Sequence, residues 1–106
     1  MYRFEKANLD VKIGSETFNV ALLRESYTNN RMAIPAIISD NGEPFAILSV
    51  NIPDIMLQEN EVIIKNWSEN ETLAAAAMAS GCFVDTGKRI RTGFVEAPIW
   101  KALKSA

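Results

Sequence analysis

Histidine is absent from all 106 residues, so the side chains able to do chemistry here are carboxylates, basic groups and a single thiol. Histidine is the side chain most used as a general base near neutral pH, and the commonest metal ligand. Without it, nucleophilic triads of the usual serine or cysteine kind are excluded. With Cys82 as the one thiol, structural zinc and iron–sulfur ligation are excluded too. Carboxylate pairs remain, as acid–base groups or as ligands for Mg²⁺ or Ca²⁺. Glu69 and Glu71 lie two apart at an expected helix start and so point to different faces, and capping and the helix dipole account for both. Asp40-Asn41-Gly42-Glu43 has the residue types of a calcium loop but lacks its alternating oxygen ligands, and a hairpin turn explains it. Cys82, beside Phe83, reads as a small core residue rather than a nucleophile. The chain is therefore expected to be no enzyme and to need no cofactor.

Charge is the other resource. The formal net charge is −2 and the pI about 5.1, so no global basic field draws the protein to phosphate backbones. The charges are nonetheless segregated. Residues 54–71 carry Asp54, Glu59, Glu61, Glu69 and Glu71 against Lys65, a net −4. From Thr86 onward Lys88, Arg89, Arg91, Lys101 and Lys104 stand against Glu96, a net +4. We take Asp54, Glu59 and Glu61 on one side, and Lys88, Arg89 and Arg91 on the other, as candidate binding residues, solvated faces being the simpler account. Lys88, Arg89 and Arg91 with Phe94 nearby form the one place where phosphate contact could combine with base stacking. The expected helix, by contrast, opens with Ser68-Glu69-Asn70-Glu71, whose charges repel phosphate. Trp67 and Trp100 read as core residues beside the helix ahead of interface anchors.

The elements that must position these groups follow from periodicity. Leu9, Val11 and Ile13 alternate with polar residues up to Gly14-Ser15-Glu16, and Phe18, Val20 and Leu22 alternate beyond it, predicting a hairpin over 9–25. Asn41-Gly42, between apolar runs 32–38 and 45–50, predicts a second hairpin with a two-residue type I′ turn. That register places Pro44 opposite Ser39 and Pro35 opposite Leu48, with both prolines near an edge, a bulge or a strand end. Residues 51–60 predict a connection that packs Ile55, Met56 and Leu57 back on the core, and Val62-Ile63-Ile64 predicts a short strand. Ser68-x-x-Glu71 has capping-box spacing, which predicts a helix over about 69–80 that ends at Gly81. Asp85-Thr86-Gly87-Lys88 reads as a turn, followed by a hairpin through Gly93 as a bulge or close approach. Residues 98–103 read as a short helix turn starting at Pro98 in preference to a final strand. The order predicts an α+β fold, mainly an antiparallel sheet of hairpins with one principal helix against it, as a single domain over 1–106.

A chain this long supports one apolar core without a large enclosed active site. The lone cysteine, an amino terminus without the features of a secretory signal and the lack of a long apolar run predict a cytoplasmic protein that does not enter the membrane. Oligomeric state stays open between monomer and dimer, since Pro35 and Pro44 disfavour open-ended sheet addition but not a symmetric pair.

Taken as a set, Ile38-Ser39-Asp40-Asn41-Gly42-Glu43-Pro44-Phe45-Ala46, Val50-Asn51-Ile52-Pro53, Ser68-Glu69-Asn70-Glu71, Gly81, Val84-Asp85-Thr86-Gly87 and Gly93-Phe94-Val95-Glu96 resemble a family of small bacterial proteins of unknown function carried by phages, plasmids and conjugative elements. The resemblance covers about the last three quarters of the chain. It implies a mobile-element accessory protein, some relatives lying near genes that counter host defence, and brings no catalytic residues with it. Three functions are weighed. The leading one is an interaction module that binds a host or element protein, as an inhibitor of a defence nuclease would (anti-CRISPR or anti-restriction type). The second is a nucleic-acid-binding accessory using the basic carboxy-terminal hairpin. The third is a small carboxylate-dependent enzyme.

Overall fold

The computed structural model describes residues 6–103. Its first hairpin follows directly from the alternation: β1 (Lys6–Ile13) and β2 (Glu16–Leu23) pair antiparallel, with Leu9 facing Val20 and Val11 facing Phe18. A short pair, β3 (Glu25–Ser26) and β4 (Met32–Ala33), precedes the second hairpin, β5 (Pro35–Ile38) and β6 (Pro44–Ile47). Then come β7 (Ser49–Val50), β8 (Glu61–Ile64), one helix α1 (Glu71–Ala79), β9 (Phe83–Thr92) and β10 (Val95–Ala102). The strands form two four-stranded antiparallel sheets, ordered β1-β2-β5-β6 and β7-β8-β10-β9. The β3–β4 pair is a separate two-stranded sheet, and the whole is the expected α+β architecture with one α-helix, its strands divided among three sheets rather than one.

One long hairpin, β4–β5 and β6–β7, extends from the first sheet, and its second arm crosses at Leu48 into β7 of the second. Its two arms bend at Ile34 and Leu48, both fully buried, where the Leu48 amide donates to the Ile34 carbonyl at 2.9 Å and the Lys65 amide donates to the Leu48 carbonyl at 2.7 Å. On the opposite side α1 packs against β1 and β9, the outer strands of the two sheets. Between them lies the main core, with Val11, Val20, Leu22, Ile34, Leu48, Val62, Ile64, Leu73, Phe83 and Trp100. The helix is mostly alanine, so it approaches the sheets closely and inserts Leu73 as its one large fully buried side chain. A second, smaller cluster on the other face of the β8–β10 sheet gathers Ile63, Ala97 and Ile99 under Ile52, Ile55, Leu57 and Trp67. The connection 51–60 thus folds back as expected, save that Met56 is exposed.

Four local expectations are corrected. The 39–42 turn is not a two-residue type I′ loop. Ile38 and Glu43 close it, the Gly42 amide donating to the Ile38 carbonyl at 2.8 Å, and Gly42 has a positive φ of 74° where Asn41 has none. Pro44 therefore faces Ile37, and Pro35 faces Ile47. The prolines still sit where the ladder tolerates them: Pro44 opens edge strand β6, and Pro35 lies one residue outside the β2 pairing. The capping box does not form. Ser68 adopts a φ of 55° and starts a 3-10 turn, Ser68–Asn70, and the Glu71 amide donates to the Ser68 carbonyl instead of its hydroxyl. The α-helix begins at Glu71, behind Asn70, whose buried side chain donates from Nδ2 to the Ile47 carbonyl at 2.7 Å rather than capping. At the other end Gly81 takes the left-handed position as expected, φ 82°. Residues 98–103 are not helical: Pro98 lies inside β10, where Ile99 and Trp100 are needed by two different cores. Asp85–Lys88 is not a turn but an irregularity within a continuous ten-residue strand.

Candidate interaction surface

That irregularity organises the charged residues. Asp85 faces Trp100 and Arg89 faces Pro98, so Thr86, Gly87 and Lys88 together oppose Ile99. Local hydrogen bonds build this bulge: the Gly87 amide donates to Asp85 Oδ1 at 2.9 Å, Thr86 Oγ1 donates to the Ile99 carbonyl at 2.7 Å, and the Lys88 amide donates to Thr86 Oγ1 at 3.1 Å. Gly87 takes a φ of 85°, a conformation side-chain-bearing residues resist.

Two ion pairs result. In a regular strand residues four apart are separated by about 13 Å. The bulge shortens that span enough for Arg89 to grip Asp85 with both nitrogens, Nη1 to Oδ1 at 2.9 Å and Nη2 to Oδ2 at 2.8 Å. This bidentate contact, helped by the Gly87 amide, holds the Asp85 carboxyl below its usual range, and Asp85 in turn raises Arg89. Lys88 is thrown to the other side, where Nζ meets Glu61 Oε2 at 2.6 Å. Glu61 stands opposite Lys101 on β8, and its side chain is only 5% exposed. Burial pushes its carboxyl up. The Gln58 amide donating to Oε1 at 2.8 Å, the Lys88 hydrogen bond and the charges of Lys88 and Lys101 outweigh that, so the group sits below the ordinary carboxylate range.

The acidic and basic stretches of the sequence therefore meet, and are partly neutralised, at Glu61–Lys88. Asp54, Glu59 and Arg91 are exposed and make no ion pair among the described residues. Glu59 and Glu61 border an open groove of about 400 Å³ that also takes in Arg24, Glu25, Arg31 and Asn60. Arg24 Nη2 donates to Asn60 Oδ1 at 2.7 Å, and Arg31 Nη2 donates to the carbonyls of Ile55 and Pro53 at 2.6 and 3.1 Å. Asp54 lies outside the groove, on the arm that Arg31 ties down. No reasoning from the sequence singled out Arg24 or Arg31, because their partners are 36 and 22–24 residues away and no local spacing marks them.

Beyond the bulge, β9 and β10 meet at Thr92 and Val95 around a two-residue turn, Gly93-Phe94. Gly93 has a φ of 62° and Phe94 does not share it, the signature of a type II′ turn with glycine first. Gly93 is thus a turn glycine, neither bulge nor close approach: a Cβ placed there meets nothing within 4 Å. The Phe94 ring is completely exposed. Comparison with protein-family models, with curated proteins and with solved structures finds no match to this chain. Among the described residues no helix is long and apolar enough to cross a membrane.

Proposed function

We propose that the chain is a non-enzymatic interaction module that binds another protein through the β9–β10 ribbon, as the resemblance to mobile-element accessory proteins implies. The observation that carries this reading is Phe94. The second position of a type II′ turn asks for no aromatic ring, and no core residue touches this one, so the fold gains nothing from it. Beside it stands Arg91 without an ion pair. Aromatic and arginine side chains are the residues that most often anchor protein interfaces. The ribbon that presents them is kept rigid by the Asp85–Arg89 grip and the buried cluster under Ile90 and Ala97.

Nucleic acid binding by the basic hairpin is the weaker reading, because Lys88 is committed to Glu61 and Arg89 to Asp85, leaving few free cations for phosphate. A counter-defence role would make the partner a host nuclease. Pull-down from a bacterial host lysate with the parent chain and with Phe94→Ser tests the module. A stoichiometric partner retained at high salt by the parent and lost by Phe94→Ser is expected, and no such partner under any salt condition would refute it.

A further inference from the structure

We infer that the free edge of β9 from Arg89 to Thr92 accepts an extended, acidic segment of a partner protein as an added antiparallel or parallel strand. The inference rests on the module reading above and names the chemistry of its partner. β9 is the last strand of its sheet, so one side of its backbone is covered by β10 and the other is not. Which backbone groups face outward follows from the register. A two-residue turn makes Thr92 and Val95 a hydrogen-bonded pair, so Ile90 and Ala97 are the next one, and Arg91–Glu96 and Arg89–Pro98 are the non-hydrogen-bonded pairs between them. Pro98 agrees, since a residue with no N–H fits a site where none is directed at β9. The N–H and C=O of Arg89 and Arg91 therefore point away from β10, toward the uncovered side.

Edges of this kind are normally blunted by a bulge, by charge or by shortness. Here the bulge at 86–88 blunts only the first half. It limits addition to the regular stretch Arg89–Thr92, which ends at Phe94. The charge on that stretch selects the occupant. A second copy of this chain pairing by its own β9 would bring no free carboxylate to Arg91, since its Asp85 is already held by Arg89. A strand with acidic residues at alternate positions places carboxylates beside Arg91 and the outer face of the Arg89–Asp85 pair, and reaches Phe94 with its end. Main-chain hydrogen bonds give such a complex its affinity, and Arg91 gives it its charge preference.

The test uses short fluorescein-labelled peptides alternating valine with glutamate, the same peptide with lysine for glutamate, and a thymidine oligonucleotide, each titrated against the whole chain by fluorescence anisotropy. Arg91→Pro removes the outward N–H without removing a β9–β10 hydrogen bond, and Arg91→Glu keeps the N–H and reverses the charge. The acidic peptide is expected to bind and the lysine peptide not to. Arg91→Pro is expected to weaken the acidic peptide about tenfold or more, and Arg91→Glu to weaken it and favour the lysine peptide. Amide hydrogen exchange at Arg89 and Arg91 should slow on binding. An acidic peptide that fails to bind, one that binds Arg91→Pro as tightly as the parent, or binding that leaves those two amides unprotected would each overturn the inference. So would an oligonucleotide that binds with steep salt dependence and loses affinity in Arg91→Glu but not in Arg91→Pro. Should a partner caught by the parent chain be caught equally by Arg91→Pro, strand addition falls while the module reading stands. Should the parent catch none, the module reading itself falls.

Discussion

Replacing Lys88 with methionine isolates the physics of the Glu61–Lys88 contact. The substitution preserves most of the side chain's length and apolar stem but leaves the Glu61 carboxylate, 5% exposed, with the Gln58 amide and the more distant Lys101 as its remaining support. A hydrogen bond to a charged group contributes about 1.5–3 kcal/mol. Lys88 itself is 46% exposed, so solvent screening reduces the figure, and we expect a loss of about 1–2 kcal/mol. For a domain of this size that is a fall of about 4–8 °C in melting temperature. The sign of the pH dependence gives a second check. In the parent chain the folded state holds the Glu61 carboxyl below its unfolded value, so its contribution is complete above about pH 4.3 and is lost as pH falls through the folded value. In Lys88→Met two of the causes that lower the carboxyl are gone while burial still raises it, so the folded value climbs. The stability gap between the two proteins should therefore be widest near neutral pH and close on acidification. Urea unfolding followed by circular dichroism at several pH values measures both quantities. A change below about 0.5 kcal/mol at neutral pH, or a gap that widens in acid, would show that this ion pair does not hold Glu61 as described.

Three further substitutions probe other joints of the fold. Asn70→Ala removes a fully buried side chain that donates to the Ile47 carbonyl and should cost about 1–3 kcal/mol by chemical denaturation, whereas a capping role would cost less and leave β6 unaffected in hydrogen exchange. Gly87→Ala meets no steric neighbour, so its expected cost of about 1–2 kcal/mol is conformational, and it should perturb the amide resonances of Asp85 to Arg89. Leu48→Ala empties a fully buried site between the sheets and should cost about 2–5 kcal/mol in equilibrium unfolding, whereas the same change at the exposed Met56 should be nearly silent.

Much of the framework was legible in the residues because it depends on local periodicity. The alternation through Leu9 and Val20 specifies the first hairpin, the alanine run specifies α1, and Gly81 marks its end. The misread segments share a cause: each local signal serves two conformations, and tertiary contacts choose between them. A glycine with a positive φ serves a turn or a bulge equally, and the buried Ile99 and Trp100 on the partner strand keep Gly87 within β9. Proline suits a helix start or a strand position with no inward N–H, and Pro98 takes the second. Ser68 and Glu71 have the spacing to cap, but Asn70 is drawn to Ile47 and shifts the helix start. In the candidate surface, charge segregation pointed to Glu61 and Lys88 separately. Their contact depends on a three-residue bulge opposite Ile99, which no count of charges contains. Asp85 went unrecognised as the partner of Arg89 because Asp85–Lys88 reads as a turn ahead of the strand, and only the bulge within β9 folds the two side chains together.

The bends at Ile34 and Leu48 also bear on how the molecule comes apart. Since the chain runs from β6, the edge of one sheet, through buried Leu48 straight into β7, the edge of the next, and both sheets wall the same core, neither can come apart without exposing the other. Heat or denaturant should thus melt both together in a single cooperative step, with the frayed species confined to the ribbon tip around Phe94.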